Sequence, residues 1–176
     1  MNRNADVAWG TRGSSDNPCS ETYQGKSPFS EPSLIAWKAG MDFVSKQVGN
    51  QFKAYIAMHN WAQMIISAYA VSEEVFPSPP TTIDKMNEAG RAIAEAMSAV
   101  NGAIYQYGQT RDVLYPSSGT SKDWVVQQYN VPLSWTWELR DEGELGYLIP
   151  AKLILPISNE VKAGFKALLQ FILTEL

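Results

Sequence analysis

Histidine and cysteine are nearly missing from this sequence: its 176 residues include one of each, His59 and Cys19. A single Cys closes no internal disulfide, and a single His completes no protein metal site unless carboxylates stand beside it. Positive charge is scarce too. Against 18 Asp and Glu there are 14 Lys and Arg, a net charge of -4 with no basic stripe, which argues against nucleic acid and against a membrane as partners. No apolar run approaches the roughly 20 residues of a membrane span, and residues 1–13 hold no apolar signal-peptide core. The composition, 45% hydrophobic and 18% charged, is that of a folded chain, and its length suits one domain with a substantial core.

The stretch Ser134-Trp135-Thr136-Trp137-Glu138-Leu139-Arg140-Asp141 reads as a strand of bulky and β-branched residues interrupted by a carboxylate. Gly143 ends it. A carboxylate on such a strand is costly to bury unless it is paired, hydrogen-bonded or near a metal, which marks Glu138 as a candidate for chemistry. Alternatively, Glu138 pairs with Arg140, two residues on and on the same face of the strand.

Residues 1–30 are turn-rich, with Trp9, Tyr23 and Phe29 as anchors for an ordered loop region. Ser30 and Pro32 open a helix, Leu34, Trp37, Met41, Val44 and Val48 give it one apolar face, and Gly49 stops it. Residues 52–58 are short and nearly all apolar, which predicts a central parallel strand buried on both faces, with His59 at its C-terminal end, where open α/β sheets place their sites. Residues 64–70 predict another strand. Pro77, Pro79 and Pro80 mark a loop, and Thr82 caps a second helix with Ile83, Met86, Gly90, Ile93, Met97 and Val100 on one face, stopped by Asn101-Gly102. Residues 103–133 read as irregular. A last helix is expected after Pro156, burying Val161, Phe165, Leu168, Ile172 and Leu176. Helices alternating with buried strands, with no internal repeat, predict an α/β fold.

Several stretches then combine: Asn2-Arg3-Asn4, Pro18-Cys19-Ser20-Glu21-Thr22-Tyr23-Gln24-Gly25, the run from Phe52 to His59 followed by Gln63, Leu114-Tyr115-Pro116-Ser117-Ser118-Gly119-Thr120-Ser121-Lys122-Asp123-Trp124, the Glu138 strand, and Gly146-Tyr147-Leu148-Ile149-Pro150-Ala151. In this collinear order the whole chain resembles the zinc metallocarboxypeptidases of the pancreatic carboxypeptidase A and B type, the M14 peptidases. The resemblance implies a mixed, largely parallel central sheet flanked by helices, with residues 1–176 forming the C-terminal portion of a single peptidase domain. It also implies hydrolysis of the last peptide bond of a peptide or protein C-terminus, with Zn2+ activating a water. On the matching positions Glu138 is the general acid/base, His59 a zinc ligand, Asn2 and Arg3 the grip on the substrate's terminal carboxylate, and Tyr115 the side chain that folds over the bound residue. Lys122 matches the base of the pocket for the substrate's last side chain, and a lysine there implies acidic C-termini, Glu or Asp. Otherwise Lys122 snorkels to solvent.

The departures matter as well. The family's H-x-x-E zinc ligands, an upstream Arg and a Cys partner for Cys19 have no match in this chain. Ala5 stands where the pattern has Trp, and Ser67-Ala68-Tyr69-Ala70 where a Tyr-Pro-Tyr-Gly-like run is common. The expectation is the later part of a secreted, extracellular enzyme, with the N-terminal part of the fold missing and the chain inactive alone. A fragment without independent function, or a pseudoenzyme or interaction module keeping part of the fold, is the competing expectation.

Overall fold

Alternation along Leu133–Leu139 sorts the molecule into two sides. In the computed structural model, which describes residues 2–49, 51–76 and 79–176, the chain forms α1 (Pro32–Gln47), β1 (Ala54–Asn60), β2 (Met64–Ser67), α2 (Pro80–Asn101), β3 (Gln106–Gln109), α3 (Thr110–Val113), α4 (Ser121–Tyr129), β4 (Leu133–Leu139) and α5 (Ile154–Glu175). The strands lie in the order β1-β4-β2-β3. β1 runs parallel to β4 and β2 parallel to β3, while β2 and β4 are antiparallel. The result is a mixed, mostly parallel sheet with flanking helices.

Leu133, Trp135 and Trp137 point to one side, against Met86, Ile93 and Met97 of α2 and Leu168 and Phe171 of α5. Among the described residues neither indole N–H of Trp135 or Trp137 meets an acceptor. An unsatisfied donor costs about 1–3 kcal/mol, whereas removing a buried Trp side chain costs about 3–5 kcal/mol, so apolar packing decides these positions. Ser134, Thr136 and Glu138 alternate to the other side. There Trp124 of α4 anchors a second cluster, meeting Phe29, Trp37 and Tyr129 edge-on. The N-terminal loops join it through buried Ala5 and Val7.

Several expectations need correction. β1 is an edge strand of the described sheet and only half buried, with Met58 43% exposed; an apolar run reports that both faces can be covered, not that both edges are paired. β2 stops at Ser67, because the next amides leave the ladder: the N–H groups of Tyr69 and Ala70 donate to the Asp123 carboxylate at 3.0 and 2.8 Å. Glu31, not Ser30, precedes the first turn of α1, since the Ser30 hydroxyl is engaged with Asn4 and Glu31. α2 begins at Pro80, two residues before Thr82, with the ring's fixed φ suiting a first helical position. The loop assigned to Pro77 lies outside the described residues.

Residues 103–133 are not irregular: they contain β3, α3 and α4. α4 escaped because six of its nine residues are buried, the charged Lys122 and Asp123 among them, so the polar residues of its sequence do not mark its solvent face. α5 starts at Ile154, with Pro156 in its first turn, and buries Glu160, Gly164, Leu168 and Phe171. Of the expected face, Leu168 is buried and Val161 and Ile172 pack half-buried against the core, whereas Phe165 is 40% and Leu176 41% exposed; the buried centre lies instead along Glu160, Gly164 and Phe171, and a carboxylate gives no apolar signal there. Gly164 is required there: a Cβ would come within 2.9 Å of Met97 and 3.1 Å of Trp137. Cys19 is exposed and free.

Candidate functional site

The register of two parallel strands creates the centre of the site. His59 of β1 sits directly across from Glu138 of β4, and such neighbours lie about 4.8 Å apart. Their side chains meet, His59 Nδ1 to Glu138 Oε1, at 3.2 Å. Glu138 does not pair with Arg140. β4 ends at Leu139, and beyond it Arg140 turns to α5, where both its Nε and Nη2 donate to the buried Glu160 carboxylate. Asn101 and the Tyr105 hydroxyl also donate to Glu160, each at 2.9 Å.

Burial pushes the Glu160 carboxyl up, but the hydrogen bonds from Arg140, Asn101 and Tyr105 outweigh it and hold the group below its ordinary value of 4.5. A carboxyl lowered on folding adds stability that is present above the unfolded value and is lost as pH falls through the folded one. Glu160→Gln is therefore expected to cost about 3 kcal/mol at pH 7, the low end for a broken buried ion pair because Arg140 keeps some water contact. It should also flatten the loss of stability below pH 4.5. Urea unfolding from pH 7 to 3 checks this; parallel curves for the two proteins contradict it.

One cavity of about 40 Å³ is lined by Asn2, Arg3, His59, Tyr115, Lys122 and Glu138 together with Thr136 and several hydroxyl side chains. All six residues singled out in the sequence meet there, drawn from the N-terminal loop, two strand ends, the loop before α4 and the first turn of α4. Arg3 is 5% exposed, far from a solvated terminal arginine. Its Nε donates to the Gly13 carbonyl at 2.7 Å, Nη1 to the Asn2 carbonyl at 2.8 Å and Nη2 to the Tyr115 hydroxyl at 3.1 Å. The loop holding it crosses Gly119 so closely that a Cβ there would lie 2.2 Å from the Arg3 carbonyl oxygen, and Gly119 has φ +65°. Tyr115 stays 46% exposed at the rim, its ring beneath the Arg3 guanidinium at 5.9 Å.

Lys122 does not reach solvent: it is 2% exposed. Its Nζ has one long hydrogen bond, to the Thr120 hydroxyl at 3.4 Å, and lies 3.8 Å from the Asp123 carboxylate. Burial pushes this ammonium's pKa down; the negative charge of Asp123 opposes the shift, the positive charge of Arg3 deepens it, and the Glu138 carboxylate opposes it in turn. Asp123 carries no role in the sequence pattern. Its carboxylate ties the turn after β2 to α4, and the only sequence signal was an acid beside a lysine in a run that becomes a buried helix. Arg111 pairs with Glu73 at 2.6 Å and does not line the cavity.

The donor set at the centre is one imidazole and one carboxylate. Among the described residues no group of three or more His, Cys, Asp or Glu stands together, and a catalytic zinc usually takes three protein ligands. The described residues therefore do not make up a zinc site. Titration of the 176-residue chain with zinc is expected to show binding weaker than micromolar; submicromolar 1:1 binding contradicts this.

The family profile described as "Zinc carboxypeptidase" matches residues 1–164. Carboxypeptidase A1 of Mus musculus is 38% identical over 159 residues, 90% of this chain and 36% of that protein. Carboxypeptidase B of Bos taurus is 32% identical over 176 residues, 100% of this chain and 40% of that protein. The chain thus spans two fifths or less of the length of these relatives. Among solved structures, bovine thrombin-activatable fibrinolysis inhibitor, crystallised with tick carboxypeptidase inhibitor, superposes with a TM-score of 0.88 at 30% identity, covering 100% of this chain and 57% of that one. Carboxypeptidase A from Helicoverpa armigera gives 0.76 at 26% identity, covering 99% and 42%. No helix among the described residues is long and apolar enough to cross a membrane.

Proposed function

Since this chain belongs to the zinc carboxypeptidase family, we propose that it supplies the substrate pocket and the proton-transferring carboxylate of an extracellular enzyme that removes the last residue from peptides. Residues 1–176 are then the later part of its catalytic domain. One observation carries this: Asn2, Arg3, His59, Tyr115, Lys122 and Glu138, scattered over the sequence, converge on a single cavity.

Each role has a physical basis. Arg3 is fixed by three hydrogen bonds, and guanidinium has five N–H donors, so one remains on each terminal nitrogen for a two-pronged hold on a terminal carboxylate. Asn2 adds an amide beside it. Tyr115, exposed at the rim, closes over the bound end. Glu138 takes a proton from the attacking water as the water oxygen bonds to the carbonyl carbon. It then gives that proton to the leaving nitrogen as the C–N bond breaks. His59 is the imidazole offered to zinc, and further donors have to come from outside the described residues.

Lys122 sets the preference. A buried ammonium with a single long hydrogen bond favours a substrate whose last side chain is a carboxylate, Glu or Asp, and repels Lys and Arg. The test is release of single amino acids, by mass spectrometry, from peptides ending in Glu, Leu, Phe and Lys, using zinc-loaded protein of the full length its relatives have. Glu should be released fastest. Fastest release of Phe or Leu contradicts the acidic preference, and no release of any terminal residue contradicts the activity.

A further inference from the structure

We propose that Asp141 and Trp61 are positioning residues for the pair His59 and Glu138. Asp141 folds the loop after β4 into a slot, and the Trp61 indole seated there holds the end of β1 against the end of β4. The proposal rests on the reading above for the roles of His59 and Glu138, but the clasp itself needs neither metal nor substrate. Topology gives the reason for a brace. β1 is the edge of the described sheet, paired with β4 alone, and His59 is its last residue but one. A strand end bonded on one side only opens more readily than a central one. The 3.2 Å approach of His59 to Glu138 therefore depends on what holds the chain just beyond them.

Beyond them the two segments interlock. Trp61 directly follows β1. The next two amides, of Ala62 and Gln63, both donate to the Leu139 carbonyl, at 3.1 and 3.2 Å. Past Leu139, Arg140 is tied to Glu160 on α5. The Asp141 carboxylate then accepts three main-chain N–H groups: Gly143 at 3.2 Å and Gly146 at 3.0 Å on Oδ1, and Leu145 at 2.6 Å on Oδ2. These bonds curl residues 141–146 into a tight loop, and the Trp61 ring packs on its two glycines. A Cβ at Gly143 would stand 2.8 Å from Cη2 and Cζ3 of Trp61, and one at Gly146 would stand 3.2 Å from its Nε1. Only a residue without a Cβ lets the ring approach this closely at both positions.

The indole stays 38% exposed and belongs to neither core cluster among the described residues. Its removal therefore leaves the main packing in place and acts on the local join between the strands. That join sets where the imidazole and the carboxylate stand. A misplacement of about 1 Å in a reacting group can cost about 10²-fold in rate.

Two measurements test this. In the 176-residue chain His59 is the only histidine, so its ring protons are assigned in NMR without ambiguity. The wild type should show a nuclear Overhauser cross-peak between that ring and the Glu138 side chain. Trp61→Ala and Asp141→Ala should lose it while the rest of the spectrum stays that of a folded chain, and Trp61→Phe should keep it. In zinc-loaded full-length protein, each Ala variant should lower kcat about 10- to 100-fold, with KM for a peptide ending in Glu within about twofold of wild type. The double variant should be no worse than the poorer single one, since both act through one contact. Asp141→Asn, which keeps Oδ1 as an acceptor, should fall between wild type and Ala, and it replaces the Ala variant if that one does not fold. A cross-peak missing from the wild type or unchanged in both Ala variants overturns the proposal. So do additive losses in the double variant, a Phe variant as poor as Ala, or a raised KM with kcat kept, which would make Trp61 a contact for the peptide instead. Failure of the wild-type full-length protein to hydrolyse peptides counts against the enzymatic reading alone, because the cross-peak still decides the clasp.

Discussion

Glu138→Gln in the full-length protein is expected to lower kcat by about 10²–10⁴-fold, the contribution typical of a positioned general base, with KM for a peptide ending in Glu nearly unchanged. Glu138 faces His59 at 3.2 Å at the ends of two parallel strands, and its backbone is held on both sides, by β1 and by β2. The amide of Gln fits the same space and can still approach His59, but it accepts no proton from water. Binding at Arg3 and Lys122 is a separate matter, and this split between kcat and KM distinguishes loss of a proton acceptor from loss of shape. A structural role would instead move KM and stability. Steady-state kinetics on the two proteins checks this, and near-normal turnover by the variant removes Glu138 from the chemistry.

Lys122→Asp is expected to move selectivity from a C-terminal Glu toward a C-terminal Lys. In the native cavity a Glu side chain meets an ammonium, and in the variant it meets a carboxylate. Misplacing a charge in a desolvated site costs about 2 kcal/mol or more, and two such terms change sign, so the ratio of kcat/KM for Glu over Lys should fall by about 10³-fold. The substituted carboxyl would stand beside Asp123, itself buried and with its pKa raised by that burial, so the variant should also lose stability. Lys122→Met avoids this crowding and should abolish the acidic preference without creating a basic one. A selectivity ratio that stays put in both variants shows that other residues set the pocket.

Only the centre of this site was legible in the local pattern. Glu138 interrupts an apolar strand, and a carboxylate there needed a partner; the partner turned out to be His59 rather than Arg140. His59 was placed by the short apolar run before it. That run also implied a central strand, but hydrophobic pattern says nothing of which edge is paired, and β1 has one neighbour in the described sheet. Arg3, Tyr115 and Lys122 carry no signal in spacing or periodicity and were found through resemblance alone. α4 was missed because its buried residues include the charged Lys122 and Asp123, which erases the amphipathic stripe, and the buried centre of α5 because Glu160 reads as a surface residue until Arg140 is placed against it. Asp123, which accepts two main-chain amides in the interior, has no signature that separates it from a solvated acid.

The most direct test of the central claim, that these residues form one pocket for the end of a peptide, compares two substrates differing in a single group. One peptide ends in Glu with a free α-carboxylate; the other has the same sequence with the α-carboxylate amidated. With zinc-loaded full-length protein the account predicts that only the free acid is shortened, by one residue, because the amide removes the negative charge that Arg3 is placed to grip. Equal cleavage of the two, or cleavage at internal bonds, would contradict it.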